Sequence, residues 1–400
     1  MAVIEWQWED GILPLQLPED CAVARYAPLF PPPLAEEEQA ARIARDVGAL
    51  ADPIRKAREI AVLVEDGSRP TVTGPLVAQL VREIERRRAG RAAAALILAA
   101  GAHFHRPSEP ELLRKIGAAP RRYFLHDATD DAQLVRIGAS RSGIPFWVNR
   151  RVAAADLRLA VGTVNIHPLA GFSGGAKILL PGVAGLETIT ALHNLPAGPP
   201  GRYDGPMRRL MNELLGQLPV HFGWQLLSRP DGAITAIYGG PLEEAHSRAR
   251  AAVRRQAALA GPERPAELIL AGCRPFQQNL IGTFKALAQL ARLPRAGACL
   301  VLFNEARDGR GGHHWRNQPR VVEVQREHYA RIYAGCTVAV YSPRSAAGDF
   351  AALFPAGFRL LKTAPELRDF LQRLQPRQAA LVPYAPLTLF SQEMSIIGQN

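Results

Sequence analysis

The chain is short of cysteine. Its 400 residues hold four, Cys21, Cys273, Cys299 and Cys336, and no Cys-x-x-Cys pair. That spacing builds neither a disulfide framework nor a zinc knuckle, and it suits a reducing compartment. Long apolar runs are missing as well, since none reaches the roughly 18 residues that span a bilayer. The opening Met1-Ala2-Val3-Ile4-Glu5-Trp6 lacks a basic stretch followed by an apolar one. No secretion signal is therefore expected, and the cytoplasm is the expected location. The 33 prolines and 34 glycines follow no period, which excludes collagen-like and low-complexity chains. No internal repeat of fixed length recurs.

What is there is the balance of an ordinary globular chain, 48% hydrophobic and 21% charged, long enough for two or three cores. The net charge is +11, and of the 48 basic residues only five are lysine: Lys56, Lys115, Lys177, Lys285 and Lys362. A composition that uses arginine for plain positive charge keeps lysine where amine chemistry is required, which directs attention to Lys177 and Lys285. No basic run interleaves with aromatics, so neither nucleic acid nor membrane is an expected partner.

From residue 59 onward short apolar runs alternate with amphipathic helices. Ile60–Val64, Ala95–Ala99 and Leu157–Gly162 read as buried strands. Leu76, Val77, Leu80, Val81 and Ile84 share one helical face, and Glu109 to Ile116 reads as a second helix. A second alternation runs through the strands 267–271, 299–303 and 337–341, with helices around 279–291 and 365–374. The pattern predicts two α/β domains with mainly parallel sheets and a cleft between them, residues 1–262 and 263–400, joined near Gly261-Pro262. Three strand ends release ionisable groups: Asp66 and Arg69, then His103 and His105, then His167. That edge of an open α/β sheet is where ligands bind.

The richest segment is His167-Pro-Leu-Ala-Gly-Phe-Ser-Gly-Gly-Ala-Lys177, followed by Ile178-Leu-Leu-Pro-Gly182. Ser173-Gly174-Gly175 permits a tight turn whose amides could hold an anion. It is not a P-loop, because Gly-x4-Gly-Lys-Ser/Thr is absent. On residue types alone it is a glycine-rich turn presenting a lysine.

His167, Lys177 within Gly-Phe-Ser-Gly-Gly-Ala-Lys-x3-Pro-Gly, and His193 sixteen residues on closely resemble the lactate racemase family. The resemblance reaches back through Val148-Asn149-Arg150 to Asp66-Gly-Ser-Arg-Pro70, and forward, weakly, to 304–311. It implies a nickel-pincer nucleotide, a pyridinium mononucleotide with two sulfur-bearing arms. Lys177 would join one arm as a thioamide, with Ser173, Gly174 and Gly175 beside it, and His193 would ligate nickel. An amine acylates where a guanidinium does not, and imidazole with soft sulfur suits square-planar Ni(II). Separate enzymes would have to make the cofactor.

The implied reaction inverts C2 of a 2-hydroxy acid. Its α-proton is not acidic, so hydride leaves C2 while a base takes the hydroxyl proton, and hydride returns to the other face. Two faces need two acid/base groups, which by resemblance are His167 and one of His103 and His105. The family pattern is Gly-x-His-Arg-Pro, whereas this chain has Gly101-Ala-His103-Phe-His105-Arg-Pro107, and spacing from Arg69 favours His103. Arg69 and Lys285 match carboxylate-binding positions, with Asp66 beside them. Lactate-type members carry glutamine and tyrosine where this chain has Gly282 and Ile281, which predicts extra apolar space and a substrate larger than lactate. Two other readings use the same residues: a nucleotide- or phosphate-binding module without activity, and a zinc hydrolase with histidine ligands.

Overall fold

The computed structural model describes every residue except 1, 10, 89–92, 105, 118–121, 197–200, 263, 317 and 392–400. The chain forms two compact units, and neither is continuous in sequence. One comprises Phe30–Gln256 with Gly312–Trp315; the other comprises Met1–Leu29, Ala257–Gly311 and Arg316–Asn400. The expected division at 262 is therefore six residues late. It also misses that the first 29 residues belong with the C-terminal half, because their contacts depend on pairing across the whole chain. Among the described residues no helix is long and apolar enough to cross a membrane.

The 30–256 unit is built on six strands in the order Ile234–Gly240, Phe222–Ser228, Leu157–Thr163, Ile60–Glu65, Ala95–Ala99, Tyr123–Leu125. All neighbours pair in parallel except Ile234–Gly240, which runs antiparallel beside Phe222–Ser228. Ile60–Glu65, Ala95–Ala99 and Leu157–Thr163 are buried along their whole length, as strands covered on both faces must be. Alternate residues serve opposite cores. Ile60, Val62, Val64, Leu157, Leu159 and Val161 join the helices Glu36–Ala49 and Gly74–Arg88. Ala61, Leu63 and Ala160 join the segments that carry Leu179, Ile189, Leu192 and Leu210. This period of two follows from the pleat. Removing any one of these large side chains would cost about 2–5 kcal/mol.

The order of this sheet matters for function. After Ile60–Glu65 the next two strands add on one side, and Leu157–Thr163 adds on the other. The connections leaving Glu65 and Thr163 therefore diverge, which opens a crevice at their carboxyl ends.

The other unit holds a six-stranded parallel sheet in the order Arg359–Leu361, Thr337–Tyr341, Cys299–Phe303, Leu268–Gly272, Gln378–Val382, Ala22–Arg25. The hairpin Ala2–Trp8 with Gly11–Leu17 buries Trp6, Leu15 and Leu17 against it. Lys285 stands on the helix Thr283–Leu290.

Candidate active site

The connection leaving Glu65 carries Asp66 and Arg69, and the one leaving Thr163 carries His167 and Lys177. Beneath them lies a buried polar network. Lys115, 2% exposed, donates from Nζ to Glu65 Oε1 and to the Thr71 carbonyl, both at 2.9 Å. Glu65 also accepts from the Thr163 amide (2.7 Å) and hydroxyl (3.0 Å), and Thr163 reaches Thr71 Oγ1 at 2.7 Å. Burial pushes the Lys115 amine below the ordinary lysine value, against the opposing pull of Glu65. This network ties together the roots of both loops. Composition points to Lys177 and Lys285, whereas Lys115, near the end of Glu109–Ile116, carries only the signal of an ordinary helix-end cation.

The residue after Glu65 is Asp66. Its Oδ1 accepts from the Ser68 hydroxyl (2.5 Å) and amide (3.3 Å), which fixes the turn. Its Oδ2 faces His103 Nδ1 at 2.7 Å. Burial alone would raise the Asp66 carboxyl. The charge and hydrogen bond of His103, the Ser68 hydroxyl and the Arg69 guanidinium outweigh it and hold the group well below the usual carboxylate range. Because a carboxylate only accepts, Nδ1 of His103 carries the proton and the neutral ring keeps its lone pair on Nε2. His105 lies outside the described residues.

His167 has the opposite arrangement. It ends the short strand Ile166–His167, and its Nδ1 accepts from the amides of Leu169 (3.2 Å) and Ala170 (3.1 Å). A nitrogen facing two N–H donors holds a lone pair, so the neutral ring is protonated at Nε2. The two histidines thus present opposite senses: a lone pair on His103, an N–H on His167.

The lysine loop is braced from below. Ser173 Oγ donates to the Thr163 carbonyl and accepts from the Asn165 amide, both at 2.8 Å, so the hydroxyl expected beside the cofactor serves the turn itself. Gly174 and Gly175 have φ of +74° and +56°. A Cβ on Gly174 would lie 2.6 Å from Gln225 Oε1, and one on Gly175 would lie 2.4 Å from His246 Nδ1. Only glycine fits such close, left-handed backbone. The Gly175 amide donates to Gln225 Oε1 (2.8 Å), and His246 Nε2 donates to the Ser173 carbonyl (2.9 Å). The amides of Ser173 and Lys177 bond to the carbonyls of Asn165 and Gly174. With these three amides spent within the protein, the expected amide cradle for an anion is not formed by them.

His193 is the last residue of the helix Leu186–His193. Its Nδ1 donates to the Ile189 carbonyl one turn back at 2.8 Å, which leaves the lone pair on Nε2. That is how a ligating histidine is usually held. Trp315 covers the ring at 4.5 Å between centroids, and its indole N–H reaches Asn194 Oδ1 at 3.3 Å.

One residue here escaped the sequence reading. His313, 9% exposed, sits 5.0 Å from the His103 ring and 6.1 Å from the His193 ring. The cluster His313-His314-Trp315 after Gly311-Gly312 was the available signal. Its distance in sequence from the strand ends hid it.

In the other unit, Lys285 Nζ lies 3.3 Å above the Phe276 ring. Gly282 does not open space. A Cβ there would meet the Phe276 carbonyl oxygen at 1.7 Å, so backbone fills the volume that a missing glutamine was expected to free. Ile281 packs against the core of its own unit.

The residues present fit a nickel-pincer nucleotide. His193 offers a neutral imidazole lone pair, and Lys177 stands on a rigid turn in the same unit. Arg208 Nη1 and Gln225 Nε2, buried under that turn, are donors without an acceptor. Among the described residues no group of three or more His, Cys, Asp or Glu side chains is placed to hold a metal ion.

Comparisons with known proteins point to one family. Residues 8–202 match the lactate racemase N-terminal domain. Over 268 residues the chain is 28% identical to lactate racemase of Lactiplantibacillus plantarum, covering 64% of this chain and 62% of that one. Over 275 residues it is 26% identical to lactate racemase of Thermoanaerobacterium thermosaccharolyticum, covering 66% and 63%. The alignments thus span less than two thirds of either relative. The fold matches the lactate racemase apoprotein structure from T. thermosaccharolyticum with a TM-score of 0.79 at 21% identity, over 98% of this chain and 100% of that one. A Thermotoga maritima structural-genomics structure matches at 0.68 and 17% identity, over 91% and 99%. The family model, the two relatives and the shared fold agree, and residues 8–202 carry the N-terminal domain of the lactate racemase family.

Proposed function

We propose that the chain is an isomerase that inverts C2 of a 2-hydroxy acid with a nickel-pincer nucleotide. The observation that carries this reading is the convergence, in one unit, of the Asp66–His103 pair, the braced Lys177 turn and the oriented His193. Two of these three leave from the divergent strand ends or the loop beside them, where an α/β sheet binds ligands. By this reading Lys177 forms the covalent link and His193 Nε2 ligates nickel. When bound, the group supplies reversible acceptance of hydride at a ring carbon.

The protein does the rest. Arg69 offers a planar guanidinium to the substrate carboxylate, and the resemblance adds Lys285. His103 Nε2 takes the hydroxyl proton as the C2–H bond breaks. Asp66, ionised throughout the neutral range, stabilises the imidazolium that results. His167 Nε2–H donates to the substrate oxygen and steadies the planar keto acid while it turns its other face. The proton then returns from His103, so in this proposal the two acid/base groups that the resemblance implies become one base, His103, and one donor, His167, whose Nδ1 is occupied by two backbone amides. The phosphate-binding alternative loses ground because the amides it would use are engaged.

The test is co-expression with the cofactor-making enzymes, followed by intact-mass and elemental analysis and by chiral chromatography of single 2-hydroxy acid enantiomers. Nickel, an adduct lost in Lys177→Ala, and inversion are the expected results. Zinc without added mass would favour the hydrolase, and loaded protein that inverts no member of the panel would overturn the proposal.

A further inference from the structure

The segment Gly312–Trp315 leaves one unit, packs within the other, and returns. It is fastened to the loop that carries His103. The His314 amide donates to the Ala102 carbonyl at 2.8 Å. The Phe104 and His314 rings lie 4.7 Å apart. Gly312 lies against Phe104 so closely that a Cβ would fall 2.7 Å from the ring, so a side chain there would have to push the ring aside. Phe104 belongs to the very stretch, His103-Phe104-His105, where this chain departs from Gly-x-His-Arg-Pro. The departure in one loop and the His-His-Trp segment are thus two halves of one contact.

That contact borders the reacting centre. The His313 ring stands nearly perpendicular to those of His103 and His193, at 77° and 79°. A substrate carbon within reach of both the base His103 and a group held by His193 also lies beside His313. Phe104 remains 50% exposed, an apolar ring left open next to the base. Trp315 stands 6.2 Å from His313, and Phe104 rests on the adjacent His314, so one segment holds an aromatic wall of two ring pairs, which favours planar apolar groups by edge and face contacts.

Resting on the 2-hydroxy acid reading above, we propose that His313 and Phe104 are substrate-binding residues that select an aryl side chain on C2. Preference for a bulky substrate then comes from this wall and not from Gly282.

The proposal is tested in two ways. In protein without cofactor, the ring signals of His313, assigned by their loss in His313→Asn, should shift saturably on titration with 3-phenyllactate and much less with lactate. In loaded enzyme, kcat/KM should favour 3-phenyllactate over lactate by roughly 10–200-fold, and Phe104→Ala should reduce that ratio at least about tenfold. Absence of the shift, or a ratio unchanged in Phe104→Ala and His313→Asn, overturns the proposal. Protein that carries nickel and the adduct but shows neither effect retains the racemase reading and loses this one. Protein that shows the shift but never acquires nickel or the adduct retains the pocket and loses the racemase chemistry.

Discussion

Mild acid should loosen the 30–256 unit well before its carboxylates titrate. Two histidines are buried there as neutral rings. His126, 1% exposed, donates from Nε2 to the Ala184 carbonyl at 2.9 Å, and Asn149 lies 3.3 Å from its Nδ1. Burial pushes it down to about 4. His246, fully buried, supports the lysine turn through the Ser173 carbonyl. Burial, then the charges of Arg208 and Arg250, push it down to about 3. Both values lie below the 6.5 of an unfolded histidine, so the unfolded chain binds protons first as pH falls. The stability they contribute is complete above 6.5 and is lost as pH falls through about 4 for His126 and about 3 for His246. At about 1.4 kcal/mol per pH unit, each costs roughly 2 kcal/mol at pH 5, or about 4 kcal/mol together. Asp66, also depressed, adds its loss only below the ordinary carboxylate range. Urea unfolding at pH 7.5 and pH 5, followed by hydrogen exchange in peptides carrying Leu157–Thr163 and Phe222–Ser228, reads this unit by itself. The midpoint should fall clearly at pH 5, and His126→Asn should remove about half of the difference. Equal midpoints at the two pH values in the unaltered protein would refute the argument.

Lys115→Met should destabilise the same unit by about 3–5 kcal/mol, because it strands Glu65 as a buried unpaired charge. The double variant with Glu65→Gln should recover most of that loss, and an unchanged urea midpoint in Lys115→Met would contradict the network. In loaded enzyme, His103→Gln should lose about 10²–10⁴ in kcat, since an amide is no base. His167→Gln, which keeps an N–H donor, should stay well above His167→Ala; equal loss in the two would show that His167 moves a proton.

The parts legible in the sequence were those whose signal is local. Ala95–Ala99, Cys299–Phe303 and Thr337–Tyr341 are apolar runs bounded by turns, and the structure has those strands. The helix Glu109–Ile116 has its capping box written in Ser108 and Glu111. The turn before Lys177 was legible as a glycine-rich segment, and the structure has it. Ala22–Arg25 was not, because all four residues are exposed and its partner Gln378–Val382 lies near the other end of the chain. His313 was hidden for the same reason. Gly282 was misread because an absent side chain was taken for empty space, when the Phe276 backbone occupies it.

The edge position of Ala22–Arg25 bears on the order in which the chain is made. A ribosome releases this strand before residues 30–256, and the strand it pairs with emerges only after them. That unit can complete its core while synthesis continues. The first 29 residues must wait, with Trp6, Leu15 and Leu17 uncovered, until Leu268–Gly272 and Gln378–Val382 arrive. Nascent chains stalled before residue 378 should therefore expose the hairpin to chaperones and proteases, and the last parallel strand to form in the second sheet is translated before every other strand of that sheet.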